Sequence, residues 1–205
     1  MKQESLFPDD TAPRGLPDGF ADTHGFLAAS EAATFFERIR AETAWHQEHL
    51  RMFGRRIAMP RLTAWYGDPG ASYVYSGIAN QPLPWTESLR ALRARVTRHT
   101  GSRFNSALLN LYRDGADSLA WHADDEPELG RAPTLASLSL GATRRFRIRQ
   151  RRTRESIGVD LEAGSLIVMT GASQRDWEHC VPKTARAVGE RINITFRWVE
   201  PRPGR

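Results

Sequence analysis

The chain has 205 residues, 40% of them hydrophobic and 26% charged, with a formal net charge of +5. That length suits one domain with a sizeable core. No apolar run is long enough to cross a bilayer, and MKQESLFPDD at the N-terminus lacks the apolar stretch of a secretory signal, so no membrane partner is expected. The lone Cys180 excludes an intramolecular disulfide and a cysteine-based structural zinc site, which points to a reducing, cytoplasmic setting. Among the cationic residues only Lys2 and Lys183 are lysine. Guanidinium groups grip phosphate bidentately and counterion release favours such contacts, so the balance is compatible with a polyanionic partner, and equally with an arginine-rich codon usage.

Residues 1–19 hold Pro8, Pro13 and Pro17 without periodicity and read as a flexible lead, leaving a single domain over 20–205. Ser30 is a candidate N-cap for a helix from about Glu31 to Thr43, with Phe35, Phe36 and Ile39 as its apolar stripe. Thr86 is placed to cap a second helix to about Thr100, burying Leu89, Leu92 and Val96. After Gly101 the pattern turns to short β-rich runs: SALLNLY, a DG turn, SLAWHAD, TLASLSL, RRFRIRQ, SLIVMTG and RINITFRW. The predicted class is α+β, an antiparallel sandwich or jelly roll over 101–199 carrying an N-terminal helical layer over 20–100.

The run WHADDE puts His122 and Asp124 two apart, on one face if the strand continues, and His179 in DWEHCVP follows a later strand. Two histidines and a carboxylate form the facial triad of non-heme Fe(II) oxygenases, whose open positions admit a cosubstrate and dioxygen. An H-x-D triplet alone carries little weight, and a solvated turn is its plain alternative. The strand RINITFR adds to it, because Arg191, Asn193, Thr195 and Arg197 alternate with Ile192, Ile194 and Phe196. Such a polar face is either an exposed edge or a buried strand whose polar groups meet a ligand. Two arginines flanking an amide suit a small dicarboxylate, with Asn110 and Tyr112 offering further hydrogen bonds, and the cosubstrate this suggests is 2-oxoglutarate.

Taken together, H-x-D, the distal histidine, R-x-N-x-T-x-R and N-x-Y resemble the AlkB family of Fe(II)/2-oxoglutarate dioxygenases, most closely its duplex-DNA-repairing branch. The resemblance runs from about residue 50 to residue 199 and includes PRLTAWYGD, YSG and NLYRDGADSLAWHADDE. It implies a double-stranded β-helix, a jelly roll with Fe(II) on His122, Asp124 and His179. It also implies that Arg191, Asn110 and Tyr112 hold the distal carboxylate of 2-oxoglutarate, with Asn193 and Arg197 near the keto-acid end and dioxygen as cosubstrate.

The implied activity is oxidative demethylation of N1-methyladenine or N3-methylcytosine in DNA, duplex and single-stranded, by a monomer. RNA, single strands alone, a non-catalytic nucleic-acid binding module, or hydroxylation of a protein or small molecule are the competing readings. Glu126 matches the family's substrate carboxylate and suits a cationic methylated base, with Asp125 as competitor. A base in a duplex must be flipped to reach a buried iron. Tyr66, Tyr73, Tyr75 and Ser76, in or beside the recognition hairpin, are the candidate walls for the flipped base. Met52 and Phe53 between Arg51 and Arg55 make an apolar tip flanked by cations, the composition of a duplex wedge; a buried hairpin tip is the alternative. RRFRIRQRRTR carries seven arginines and no acid over 144–154. There Arg145, Arg147, Arg151 and Arg152 are candidate phosphate contacts, with a solvated charged face as the alternative.

Overall fold

The structure is a computed structural model and describes residues 15–52, 54–71, 73–75 and 78–200. Strand β1 (Phe20–Thr23) starts where the sequence places the start of the fold. The residues just before it are docked: Leu16 packs on the core, the Phe20 N–H donates to the Pro17 carbonyl at 3.0 Å and the Thr170 N–H to the Gly19 carbonyl at 2.8 Å. Residues 16–19, expected to belong to the flexible lead, are therefore docked, and residues 1–14 of that lead lie outside the described residues.

The N-terminal half continues with α1 (Ala29–Glu42), a hairpin of β2 (His49–Met52) and β3 (Arg55–Ala58), then β4 (Leu62–Gly67). A second hairpin of β5 (Tyr73–Tyr75) and β6 (Ile78–Asn80), the short β7 (Leu83–Pro84) and α2 (Glu87–Thr100) complete it. The C-terminal half contains β8 (Ser106–Tyr112), β9 (Leu119–His122), β10 (Leu135–Gly141), β11 (Arg144–Gln150) and β12 (Ser156–Leu161). It closes with β13 (Leu166–Met169), the one-turn α3 (Ser173–Asp176), β14 (Trp177–Val181) and β15 (Arg191–Arg197).

Among the described residues the strands form a seven-stranded sheet in the order β1-β13-β10-β15-β8-β4-β7 and a four-stranded sheet in the order β12-β11-β14-β9. From β8 onward the chain alternates between the sheets, the β11–β12 hairpin excepted, so four strands of each build the jelly roll. Two features of the expected layout change. The DG at 114–115 does not close a hairpin, because β8 and β9 lie in different sheets; the segment crosses from one sheet to the other. The sheet core is also not confined to 101–199, since β1, β4 and β7 extend the larger sheet from both edges. Gly141 shows how tight these crossings are: it has φ +81°, and a Cβ there would lie 2.4 Å from the Glu190 carbonyl oxygen.

Period-two alternation sorts the larger sheet. Leu109, Leu138, Leu166, Ile192, Ile194 and Phe196 face α1 and α2, joining Ile39, Leu89, Leu92 and Val96 in one apolar cluster. A second cluster, with Tyr112, Leu135, Ile167 and Met169 from the larger sheet and Phe146, Ile148 and Val181 from the smaller, lies between the sheets. α2 follows its sequence signals: Thr86 Oγ1 accepts the Leu89 N–H at 3.3 Å, and Gly101 ends the helix at φ +69°. α1 does not, because its N-cap is Ala28 and Ser30 lies inside the helix. The adjoining Leu27 is buried and its N–H donates to the Gly164 carbonyl at 3.0 Å, so tertiary anchoring sets this start in place of side-chain capping.

Candidate metal centre and cosubstrate pocket

His122 ends β9 and pairs directly across from His179 in β14, with the two rings 4.2 Å apart between centroids. His179 therefore lies within a strand, where the sequence had suggested a position after one. The register shifts between His179 and Val181, a bulge of the kind that re-aims side chains. Asp124 is two residues beyond His122, past the end of the strand. The ligand atoms of His122, Asp124 and His179 all lie within 4.8 Å of one another, and they are the group among the described residues that could hold a metal ion.

Hydrogen bonding and charge around the centre suit that task. His122 Nδ1 lies 3.0 Å from the Ala120 carbonyl oxygen, so it donates and leaves the Nε2 lone pair free. Burial pulls His179 down to about 3, helped by the neighbouring His122, so it is a neutral imidazole at ordinary pH. Burial alone would raise Asp124, but Arg197 and the two imidazoles outweigh it and hold the carboxyl below its usual range. Asp124 Oδ1 accepts from Arg197 Nη2 at 2.8 Å, while Oδ2 lies 3.8 Å from His179 Nε2, on the ligand side. Two imidazole nitrogens and one carboxylate oxygen converge in a 2-histidine-1-carboxylate set, which fits Fe(II).

The inner face of β15 leads away from this centre to a buried cation. Arg191 is 1% exposed; its Nη2 donates to Ser139 Oγ at 2.9 Å, and Nε and Nη1 find no acceptor among the described residues. Tyr112, paired across from it, is equally buried, and its ring lies 5.3 Å below the guanidinium carbon. Two more guanidiniums reach Tyr112. Arg61 Nε donates to Asn110 Oδ1 at 2.7 Å, and Arg144 is satisfied by the carbonyls of Asp114, Asp117 and Pro182. A buried positive cluster with free donors requires an anion, and the distal carboxylate of 2-oxoglutarate meets that requirement. Asn193 stands between the two ends, donating to Ser137 Oγ at 2.7 Å, with Asn110 Nδ2 3.5 Å from its Oδ1. Arg197 sits at the metal end, and its Nε is also without an acceptor among the described residues. β15 is a central strand, which rules out the exposed edge as the reason for its polar face.

The family model described as the 2OG-Fe(II) oxygenase superfamily matches residues 19–197. A human protein named alpha-ketoglutarate-dependent dioxygenase alkB homolog 3 is 43% identical over 87% of the chain and 65% of its own length. The bovine protein of that name is 43% identical over 99% of the chain and 73% of its length, and the mouse DNA oxidative demethylase ALKBH2 is 37% identical over 84% and 77%. The chain belongs to the AlkB family of 2-oxoglutarate oxygenases. It spans 65% of the human relative's length. The fold agrees with a solved structure titled "The structure of OsALKBH1", at TM-score 0.64 and 20% identity, covering 90% of the chain and 100% of that one. A Pseudomonas putida prolyl-4-hydroxylase matches at TM-score 0.54 and 17% identity, covering 89% and 92%.

The remaining candidates of this AlkB-family chain divide. Tyr66 is not a wall for a base: it shares the helix-facing side of β4 with Ala64, is 3% exposed, and its hydroxyl accepts the Ala44 N–H at 3.1 Å. Tyr73 and Tyr75 lie on β5, across from Asn80 and Ile78, while Ser76 and Phe53 lie outside the described residues. Arg51 and Met52 pair with Arg56 and Arg55 across the β2–β3 hairpin, whose second strand is exposed throughout, so a buried hairpin is excluded for that strand. Glu126 is half-buried with Oε2 unpartnered among the described residues, and burial raises its carboxyl above the ordinary value. Asp125 is instead engaged by Arg151 at 2.8 Å.

The arginine run is less uniform than it reads. Arg144 is 2% exposed and structural, Arg145 pairs with Asp160 at 3.4 Å, and Arg149 pairs with Glu178 at 2.6 Å while covering the Trp121 ring. Acids from β12 and β14 thus offset a run that itself contains none. The sequence reading missed Arg61, Ser137, Ser139 and Gln174. Arg61 and the serines become recognisable only when β4, β8, β10 and β15 are laid side by side, and Gln174 carries no local signal at all.

Proposed function

We propose that the chain is an Fe(II)- and 2-oxoglutarate-dependent oxidative demethylase of alkylated DNA bases, acting on N1-methyladenine and N3-methylcytosine. The observation that carries this is the half-buried Glu126, whose Oε2 has no hydrogen-bond partner among the described residues, beside a complete ligand triad and a buried, anion-demanding Arg191. Fe(II) with 2-oxoglutarate and dioxygen supplies the oxidation of a C–H bond, which side chains alone do not. One oxygen atom goes to the methyl group and the other to succinate, with carbon dioxide released; the hydroxymethyl base then loses formaldehyde. Glu126 attracts the cationic lesion and accepts from its exocyclic amine. His122, Asp124 and His179 hold the metal, and Arg191 with Tyr112 and Asn110 orients the cosubstrate from its far end.

The relatives named above include a DNA oxidative demethylase, which supports a nucleic-acid substrate. The cationic surface supports it also: Arg151 and Arg152 line a cleft of about 440 Å³ with Gln150, Arg175 and Asp176, and Arg145 and Arg147 continue along the exposed face of β11. These side chains and Arg51 and Arg55 of the hairpin are read as phosphate contacts.

The deciding experiment loads the protein with Fe(II) and 2-oxoglutarate and measures formaldehyde and repaired base from an oligonucleotide carrying one N1-methyladenine. Stoichiometric release of both is expected, abolished by a chelator; succinate formation without base repair, or repair of RNA only, would displace DNA as the substrate. Glu126→Gln is expected to raise KM for the lesion by about 10- to 100-fold, as for a charge-assisted hydrogen bond, and to affect kcat far less. For Phe53→Ala, duplex turnover is expected to drop several-fold while single-strand turnover holds; equal rates on the two substrates would remove the wedge role.

A further inference from the structure

The chain leaves the smaller sheet at His122, and the residues from there to the 3-10 turn Pro127–Leu129 belong to no strand. The backbone that carries Asp124 is consequently not positioned by a ladder. Among the described residues one polar side chain bonds it: the Asp124 N–H donates to Gln174 Oε1 at 2.9 Å. We propose that Gln174 is a positioning residue of the metal centre, holding the Asp124 backbone so that its carboxylate meets the two histidines.

Three observations carry the assignment. Gln174 is 2% exposed and Asp124 4%, so the bond is shielded from water and its loss would strand a buried N–H. The amide has one sense only, because its Nε2 faces Met169 Sδ at 3.4 Å and Ser173 Oγ at 3.2 Å, and a flipped amide would set N–H against N–H at Asp124. Gln174 is also on α3, which runs directly into β14, and His179 is five positions further along. The glutamine thus ties the segment bearing one ligand to the root of the strand bearing another, across the point where hydrogen-bonded pairing stops. Asp124 is held at both ends, its backbone by Gln174 and its carboxylate by Arg197.

The test is a Co(II) titration of the metal-free protein followed by visible absorption, with thermal melting of the same metal-free samples. Gln174→Met keeps volume and removes the acceptor; it is expected to weaken Co(II) binding about 10- to 100-fold, the range for changes just outside a ligand shell, with an altered absorption profile. Met169→Leu removes the thioether contact while sparing the acceptor, and is expected to bind Co(II) as the wild type does. Unchanged Co(II) affinity in Gln174→Met, or an equal loss in Met169→Leu, overturns the proposal. A lowered melting temperature with wild-type affinity in the folded protein overturns it too, since that is the signature of packing alone.

Discussion

Asp124→Ala is expected to abolish turnover and to lower the melting temperature, whereas His122→Ala abolishes turnover and leaves the fold nearly as stable as before. Both remove a metal ligand, but only Asp124 also neutralises a buried cation. Its Oδ1 accepts from Arg197 Nη2 at 2.8 Å, and the Arg197 side chain is 12% exposed. Removing one partner of such a pair costs about 3–5 kcal/mol when the other is fully buried, and somewhat less here because Arg197 keeps that exposure. At about 2–4 °C per kcal/mol for a chain of this size, a fall on the order of 10 °C follows. His122 is half-buried and, among the described residues, its ring hydrogen-bonds only the carbonyl two residues before it, so its truncation leaves no charge stranded. The double variant Asp124→Ala/Arg197→Met is expected to recover most of the lost stability and none of the activity. A double variant no more stable than Asp124→Ala would mean that the pair contributes nothing to the fold.

Arg191→Met is expected to separate cosubstrate binding from stability in the opposite direction. In the protein without ligand, Arg191 is a 1% exposed guanidinium with Nε and Nη1 unpartnered among the described residues, and burial works against its charge. Replacing it by an apolar side chain of similar reach removes a desolvation cost, so the ligand-free variant should melt no lower than the wild type. The 2-oxoglutarate carboxylate loses its buried cation, however. Truncating one partner of such a pair costs about 2–5 kcal/mol, so the apparent Kd should rise by about 30-fold to several thousand-fold. Calorimetry and a thermal-shift series with added 2-oxoglutarate check both halves: the wild type gains melting temperature with ligand and the variant does not. A variant that melts well below the wild type without ligand would show that Arg191 is structural. Wild-type affinity in the variant would move the carboxylate elsewhere, to Arg61 or Arg197.

Much of the centre was legible because strand periodicity converts sequence spacing into facing. Arg191, Asn193 and Arg197 share a face by alternation alone, and the partner strand's Asn110 and Tyr112 fall on the matching side once β8 and β15 are paired, at Asn193↔Asn110 and Arg191↔Tyr112. The same rule, applied to β4, would have turned Tyr66 to the helices with Ala64, had that strand been placed beside β8. Where a residue's partners are distant in sequence, no local pattern stood in for them. The acids that offset Arg145, Arg149 and Arg151 come from β12, β14 and the segment after β9.

Composition and alternation therefore determined the class of fold, the ligand types and the polar face of the last strand, since each depends on residues within a few positions of one another. Tertiary structure alone decided that β15 is central, that Arg61 and Arg144 join Arg191 around Tyr112, and that Gln174 anchors Asp124. Those outcomes depend on which strands become neighbours and on which buried polar atoms then lack water. A buried donor or charge must be satisfied by whatever packing brings within about 3 Å, and only the folded arrangement of both sheets specifies what that is.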